Sequence, residues 1–226
     1  MDVHGLKQRL FEAGSFVEKL SGSESDPSGA LIAFASQFGE PAFIRGRMRR
    51  PIITEVRPRE HFDPASFAGT DEFRLHTDLA WLPDDQIPRL MFLLCVRPEA
   101  AGGGASLEAD GWSILKSMSP AQRLELQETK VTMRSHRDVR SITYREDPLL
   151  KIREGRPAIR FRRDLIEGSM PDAVRVFGEA ADRSAKRFFL QAGEVLVMDN
   201  TRMLHGREQL NAGLASDRLL LRLHVR

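Results

Sequence analysis

Two segments that lie far apart in the sequence constrain the fold of this chain more than any other feature. The first segment, FRLHTDLAW, contains His76 and Asp78, and the second, GEVLVMDNTRMLHGR, contains His205. On an extended segment, residues at positions i and i+2 point to the same face, so His76 and Asp78 would lie together with Thr77 turned away. A fold that uses all three polar residues must bring the two distant segments side by side.

The three side chains make up a recognisable set of metal ligands. Two imidazoles and one carboxylate on one side of an ion form the facial triad of non-heme Fe(II) oxygenases, which leaves coordination positions open. A His-x-Asp sequence alone is more often a polar strand end, and the second segment is what strengthens the hypothesis. The sequence predicts an Fe(II) site formed by His76, Asp78 and His205, with His205 on a turn after the strand VLVM.

The composition excludes several classes of protein. Of the 226 residues, 41% are apolar and 29% are charged, which is ordinary for a globular domain with a sizeable core. The net charge of +2 provides no general attraction for nucleic acid, and the arginine clusters at 47–50 and 160–163 are typical of solvated faces. No segment has the length of an apolar membrane span. We therefore expect neither a nucleic-acid nor a membrane partner.

The single cysteine and the N-terminal segment indicate the compartment. Cys95 has no second cysteine with which to form a disulfide, and this suits a reducing cytoplasm. Because Cys95 lies in the apolar run LMFLLCV, we predict that it is a buried core thiol. The first residues, MDVHGLKQRLFEAG, lack the continuous apolar stretch of a signal peptide. The expected location is therefore cytoplasmic.

The order of helical and extended patterns predicts the fold class. Apolar residues recur at helical spacing from Leu6 through Phe16 and Val17, and again in GALIAFASQFG. Short segments typical of strands follow, among them PIITEV, LMFLLCVRP, PAIRFRR and DRLLLRLHVR. This order favours a mainly β protein with flanking helices, a double-stranded β-helix of the jelly-roll or cupin-like type. We predict one domain over 1–226, with a helical part at 1–40 that packs on the barrel.

Two pairs of arginines on predicted strands are candidates for anion binding. Arg218 and Arg222 lie four residues apart on the last strand and therefore share a face. An arginine inside a barrel is costly unless an anion meets it, which favours an anion-binding role for Arg218. The leucines between the two arginines leave the solvent-facing alternative open. Arg160 and Arg162 likewise alternate onto one face of PAIRFRR.

Three motifs occur in a characteristic order along the chain. HTD stands at 76–78, GGGASLEADG at 102–111, and GEVLVMDNTRMLHGR is followed by DRLLLR. Together they resemble the taurine dioxygenase and clavaminate synthase-like family of Fe(II)- and 2-oxoglutarate-dependent oxygenases. The resemblance extends, with gaps, from GALIAFASQFGEP to the end of the sequence.

The resemblance assigns roles to the residues that match the motifs. His76, Asp78 and His205 match the iron ligands of the family. Arg218 matches the arginine that binds the far carboxylate of 2-oxoglutarate. Ser106 stands where the family usually has a threonine whose hydroxyl contacts the same carboxylate. The remaining histidines are expected to lie outside the metal centre: His4, His61, His136 and His224.

Other matches concern the substrate. Arg222 matches a position that binds either an acidic group of the substrate or the near end of the cosubstrate. PAIRFRR resembles a pocket-lining strand of the amino-acid-modifying members, which makes Arg160 and Arg162 candidates for substrate binding. Trp81 is a further candidate, either in the core or in the pocket wall. Asn200 resembles a structural residue of the turn before the distal histidine.

Hydroxylation of a C–H bond is the reaction that the resemblance implies, with O2 as oxidant and succinate and CO2 as products. Because Asp78 is present, halogenation is disfavoured, since halogenating relatives have a small residue in its place. The arginines favour a small substrate that carries a carboxylate, such as an amino acid or a derivative. Desaturation or ring closure, a metal-binding barrel without oxygenase activity, and a nucleic-acid-binding module are the alternatives that the sequence leaves open.

Overall fold

Strands contain more residues than helices in the part of the chain that the structure describes. The structure is a computed structural model, and it describes residues 2–42, 53–63, 66–135 and 142–226. The helices are α1 (Val3–Ala13), α2 (Pro27–Ala35), α3 (Gly111–Ser117), α4 (Pro120–Glu128) and α5 (Asp172–Ser184). The strands are β1 (Ser15–Lys19), β2 (Thr54–Val56), β3 (Phe73–His76), β4 (Leu90–Arg97), β5 (Ser106–Asp110), β6 (Lys130–Arg134), β7 (Tyr144–Pro148), β8 (Leu150–Arg153), β9 (Arg156–Ile159), β10 (Ile166–Glu167), β11 (Lys186–Phe188), β12 (Glu194–Asp199), β13 (Met203–Arg207) and β14 (Leu219–Val225).

Two antiparallel sheets form the barrel. The larger sheet has the strand order β1-β12-β4-β14-β2, and the smaller sheet has the order β11-β5-β13-β3. Met91 and Leu220 of the larger sheet belong to one apolar cluster with Met203 of the smaller sheet. Packing of two antiparallel sheets against each other, with helices outside, is the jelly-roll arrangement predicted from the sequence. That prediction is confirmed.

Strand β4 is buried on both faces, as its continuous apolar run predicts. Phe92 and Leu94 point to one side and join the cluster of α1 and α2, where the rings of Phe92 and Phe34 meet edge to face at 6.0 Å. Met91 and Cys95 point to the other side, toward the interior between the sheets. Cys95 is thus the buried core thiol that its position predicts. Burial of each large apolar side chain contributes about 1.5–3 kcal/mol.

The N-terminal segment differs from its prediction in one respect. Helix α1 ends at Ala13 because Gly14 adopts a left-handed conformation, with φ of 81°, which a glycine tolerates. The helical prediction for Phe16 and Val17 was therefore wrong, since both lie on β1 and pair with β12. The apolar spacing still reflects burial, because Phe16 packs in the same cluster as Leu10 of α1. Single-domain organisation over 1–226 stays a prediction.

The outer face of the smaller sheet is covered by helices α3, α4 and α5. Phe161 and Phe177 of this second core have ring centroids 5.1 Å apart. The predicted strand PAIRFRR is shorter than expected, since β9 ends at Ile159. The expectation that Arg160 and Arg162 alternate along a strand was therefore wrong, because both follow the strand end.

Some predictions concern residues outside the described ranges. These are the arginine cluster at 47–50 and His136. Among the helices at 2–42, 53–63, 66–135 and 142–226, none has the length and apolar character needed to span a bilayer.

Candidate metal centre

Strand pairing brings the two distant histidines together. In the antiparallel pair of β3 and β13, His76 lies directly opposite His205, and their ring centroids are 4.3 Å apart. His205 is inside β13, so the prediction that it lies on a turn was wrong. Asp78 lies just beyond the end of β3, with Oδ1 3.5 Å from His76 Nε2 and 3.8 Å from His205 Nε2. One ligand atom from each residue falls within 4.8 Å of the others, which is close enough for one ion.

The histidines have the protonation state that a metal requires. His76 Nδ1–H donates to the carbonyl of Arg74 at 2.8 Å, which leaves the Nε2 lone pair free. This Nε2 is buried and has no hydrogen-bond partner among the described residues. Burial lowers the pKa of His76, and the charge of Arg162 lowers it further. Burial and the neighbouring His76 hold the pKa of His205 well below its usual value. Both imidazoles are therefore neutral.

Asp78 is ionised although it is buried. Burial by itself raises the pKa of Asp78, but the charge of Arg222 and the hydrogen bond from His224 hold this pKa well below its usual value. Arg222 Nη1 donates to the two carboxylate oxygens at 3.1 and 3.0 Å. His224 Nε2 donates to Oδ2 at 2.9 Å. The site thus presents two neutral nitrogens and one anionic oxygen.

His224 is a functional residue that sequence reasoning missed. It was expected outside the metal centre, and it lies one hydrogen bond away from the proposed ligand Asp78. Arg222 and His224 are two residues apart on β14, so they share a face. Their common face was the signal that could have identified His224, once Arg222 was suspected.

The backbone at Asp78 is fixed by a buried amide. Asn200 Oδ1 accepts from Asp78 N–H at 2.7 Å, and Asn200 Nδ2 donates to the carbonyls of Asp78 and Pro88 at 3.0 Å each. On the other side, Thr77 N–H donates to the carbonyl of Phe161 at 2.8 Å, and Thr77 Oγ1 accepts from Phe161 N–H at 2.9 Å. Thr77 is thus turned away from the ligands, as the sequence predicted, and anchors the segment after β9.

We expect Asn200→Ala to destabilise the protein. The substitution leaves Asp78 N–H and two carbonyls without their partner in a fully buried place, and each such group costs about 1–3 kcal/mol. Chemical denaturation of the metal-free protein measures this loss. Asn211→Ala is the matched control, because the side chain of Asn211 is exposed and, among the described residues, donates one hydrogen bond, to the carbonyl of Ala101. Equal losses in the two variants would contradict the anchoring role.

A pocket beside the metal centre contains the predicted cosubstrate residues. It is lined by Arg218, Ser106 and His205, and contains about 410 Å³ of empty space, part of it open to solvent. Arg218 is only 5% exposed, and its Nη1 is buried with no hydrogen-bond partner in the described ranges. Burial lowers the pKa of Arg218, yet arginine stays charged. A buried cation without a contacting carboxylate is costly, so this end of the pocket favours an anion.

Arg162 lies near the metal centre and Arg160 does not share its environment. Arg162 is 3% exposed, stands over the ring of Phe73, and has a buried Nη2 with no hydrogen-bond partner among the described residues. Its Nε donates to Asp164 Oδ1 at 2.8 Å. Arg160 instead pairs with Asp84 and with Asp147 at 2.6 Å, which gives it a structural ion-pair network. The structure thus separates the two predicted substrate arginines.

The other two substrate candidates have different surroundings. Arg222, predicted to meet the substrate or the near end of the cosubstrate, contacts the carboxylate of Asp78 and stands over the ring of Phe67. It also lines the pocket that contains Arg218. Trp81 is half-buried and packs against the core cluster of helices α3 to α5, which fits its alternative as a core residue.

Comparison with known proteins identifies relatives of the chain. A family model for the taurine catabolism dioxygenase TauD, TfdA family matches residues 20–224. The 3-((Z)-2-isocyanoethenyl)-1H-indole synthase of Fischerella ambigua (strain UTEX 1903) is 27% identical over 192 residues, which cover 73% of this chain and 67% of that protein. Gamma-butyrobetaine dioxygenase of Pseudomonas sp. (strain AK-1) is 29% identical over 206 residues, or 84% of this chain and 51% of that protein. The chain spans about two thirds and about half of the length of these curated relatives.

Solved structures share the fold. Asparagine oxygenase in complex with Fe(II), 2S,3S-3-hydroxyasparagine and succinate superposes with a TM-score of 0.79 at 20% identity, over 99% of this chain and 77% of that chain. The non-heme iron oxygenase OrfP in complex with Fe, succinate and (3R,4R)-dihydroxy-L-Arg has a TM-score of 0.77 at 18% identity, over 100% and 81% of the two chains. The family model covers most of the chain and agrees with the motifs, so the resemblance to Fe(II)- and 2-oxoglutarate-dependent oxygenases is confirmed. The chain belongs to the taurine catabolism dioxygenase TauD, TfdA family.

Proposed function

We propose that the protein is an Fe(II)- and 2-oxoglutarate-dependent dioxygenase that hydroxylates a C–H bond of a small, carboxylate-bearing metabolite. Its substrate would be an amino acid or a derivative. The observation that carries the proposal is the shared pocket: Arg218 and Ser106 line it together with His205. His205 also belongs to the cluster of His76, Asp78 and His205 that could hold a metal ion, so this cluster adjoins the pocket.

The residues present fit a ferrous ion. Neutral imidazole nitrogens and an ionised carboxylate are the donor types of the facial triad, and the unpartnered Nε2 of His76 is a ligand atom that lacks another role. When bound, Fe(II) and 2-oxoglutarate activate O2 to oxidise a C–H bond, and 2-oxoglutarate leaves as succinate and CO2. His76, Asp78 and His205 would hold the ion as its three protein ligands, and its remaining positions would serve the cosubstrate and O2.

The protein contributes geometry and a low-polarity environment. Arg218 and Ser106 would orient 2-oxoglutarate by its far carboxylate, in a charge-assisted contact with the guanidinium. Arg222 and His224 fix the orientation of the Asp78 carboxylate through their hydrogen bonds. Apolar side chains complete the wall of the pocket and limit the access of water: Val56, Phe67, Phe73, Met91 and Leu93.

The surroundings of Arg162 favour a substrate that carries an acidic group. Its charge lowers the pKa of His76 and of His205, which places the guanidinium within electrostatic reach of the metal centre. Asp164 accepts a hydrogen bond from Nε of this guanidinium, while the buried Nη2 has no hydrogen-bond partner among the described residues. A substrate carboxylate would satisfy this nitrogen. The hydroxylated amino acids bound to asparagine oxygenase and to OrfP also support this class of substrate.

Anaerobic titration of the Fe(II) protein with 2-oxoglutarate tests the reaction class. Chelation of the iron by the 2-oxo acid is expected to produce a visible charge-transfer band. Addition of O2 and a screen of small acids should then identify a compound that stimulates succinate release. A protein that binds Fe(II) but shows neither the band nor succinate release with any acid would be a metal-binding barrel without this activity.

We expect the substrate to be recognised by its carboxylate through Arg162. Succinate release with the active acid should exceed that with its neutral amide, because the amide leaves the guanidinium unpaired. Arg162→Gln should lower kcat/KM for the acid by on the order of 100-fold, the effect of truncating one partner of a buried charge pair. It should affect the amide little.

Arg175→Gln is the control for this experiment, since Arg175 is exposed on α5 and its ion pairs within the described ranges are with Asp172 and Glu179. If the wild-type protein does not discriminate between acid and amide, the idea of an anionic substrate fails. If Arg162→Gln discriminates as well as the wild type does, the carboxylate is recognised by another residue.

A further inference from the structure

A second arginine is buried in the pocket that contains Arg218. Arg207 lies two residues beyond His205 on β13 and pairs with Ser106 of β5. Alternation along the strand turns Arg207 to the same face as His205, and both side chains line the pocket with Arg218. Arg207 is 5% exposed, as is Arg218. No sequence pattern singled out Arg207, because it lacks the regular spacing of Arg218 and Arg222.

The guanidinium of Arg207 is held by the backbone. Its Nε donates to the carbonyl of Glu208 at 3.1 Å, and its Nη2 donates to the carbonyl of Asp71. The carboxylate of Glu208 is engaged elsewhere, by two hydrogen bonds from Arg187 at 2.8 and 2.9 Å. Carbonyl contacts fix the position of Arg207 without neutralising its charge.

The charge of Arg218 acts on Arg207. Burial lowers the pKa of Arg207 to about 10, the charge of Arg218 acts in the same direction, and the charge of Asp71 opposes both. Arg207 is still protonated at neutral pH. Within the described residues, neither guanidinium has a contacting carboxylate, and Arg218 Nη1 has no hydrogen-bond partner. Two like charges in a low-dielectric pocket repel each other, and an anion bound beside them relieves the repulsion.

We propose that Arg207 is a positioning residue that, together with Arg218, selects a 2-oxo acid with a second carboxylate. The backbone contacts hold Arg207 in place before the cosubstrate arrives, so little side-chain freedom is lost on binding. The positive charge of Arg207 then adds to the attraction for the far carboxylate. This inference rests on the proposed binding of 2-oxoglutarate in this pocket.

Two ligands that differ in one carboxylate test the role. The Fe(II) protein is titrated anaerobically, by calorimetry, with 2-oxoglutarate and with 2-oxopentanoate, which has the same chain length but lacks the far carboxylate. Arg207→Gln should weaken the binding of 2-oxoglutarate about tenfold or more, which is the effect of about 1.4 kcal/mol. It should leave the binding of 2-oxopentanoate unchanged. Arg207→Lys keeps the charge and should retain most of the preference for 2-oxoglutarate.

Arg187→Gln is the matched control, because it removes an exposed positive charge that also lies beside Glu208. The inference is overturned if Arg207→Gln binds both ligands as the wild type does. It is also overturned if the variant weakens both ligands equally, which indicates a structural role. If Arg207→Gln does not fold, Arg207→Lys decides, and loss of its preference for 2-oxoglutarate overturns the inference. Failure of the wild type to bind 2-oxoglutarate contradicts the proposed function instead.

Discussion

Replacement of His205 by alanine is expected to abolish Fe(II) binding and turnover together. His205 lies opposite His76 across the β3–β13 pair, and its loss leaves two of the three candidate ligands, His76 and Asp78. Loss of a residue that merely hydrogen-bonds to a metal ligand typically costs roughly 10–100-fold in metal affinity or activity. Loss of a metal ligand itself should lower the Fe(II) affinity by more than that range. The affinity for Fe(II), measured anaerobically beside succinate release, checks the expectation.

The exposed His61 provides the control for this substitution. His61→Ala should bind Fe(II) as the wild type does, because its imidazole lies outside the cluster that the structure shows. An unchanged circular-dichroism spectrum of His205→Ala would show that the variant is folded, so that the loss of Fe(II) binding results from the missing ligand and not from unfolding. Full activity of His205→Ala would show that the ligand assignment is wrong.

Arg218→Ala should cost about 2–5 kcal/mol of 2-oxoglutarate binding, the range for truncating one partner of a buried charge pair. The lower end of this range corresponds to a Kd increased roughly 30-fold, and the upper end to a Kd increased several thousand-fold. The reason is the burial of the guanidinium, whose Nη1 has no hydrogen-bond partner among the described residues. Arg218→Lys should rescue binding only in part, because a point charge replaces a planar fork.

Titration with 2-oxoglutarate measures this effect, and Fe(II) affinity should stay unchanged because Arg218 is not among the candidate ligands. Arg97→Ala is the control, since Arg97 lies on β4 near the same end of β14 but has an exposed side chain that contacts Asp217. An unchanged Kd for 2-oxoglutarate in Arg218→Ala would rule out the anchoring role.

Several features of the fold were accessible from local patterns. The apolar run of β4 predicted a strand buried on both faces, and the structure buries Met91 and Phe92 on opposite sides. Ser119 followed by Pro120 is a sequence pattern typical of a helix start, and α4 begins there with a complete capping box. Such signals are readable because each depends on residues within one element.

Other features depended on conformations that the local pattern did not specify. Phe16 has an apolar spacing compatible with a helix, yet the left-handed turn at Gly14 transfers it to the edge of the larger sheet. His205 was placed on a turn, although five residues from Met203 form a strand between β5 and β3. Strand formation there depends on two neighbours from earlier parts of the chain.

The sequence by itself determined the chemical groups of this protein: a His-x-Asp pair, a distant histidine and several arginines on predicted strands. Only the tertiary structure decided which charges neutralise one another. Arg222 meets Asp78 across 144 positions, and Arg160 meets Asp84 across 76. Such pairings follow from strand register and from the path of the chain beyond strand ends, which leave no local signal in the sequence. For the same reason only the fold distinguished Arg160, which is paired with two aspartates, from Arg162, Arg207 and Arg218, which no carboxylate of the described residues fully satisfies.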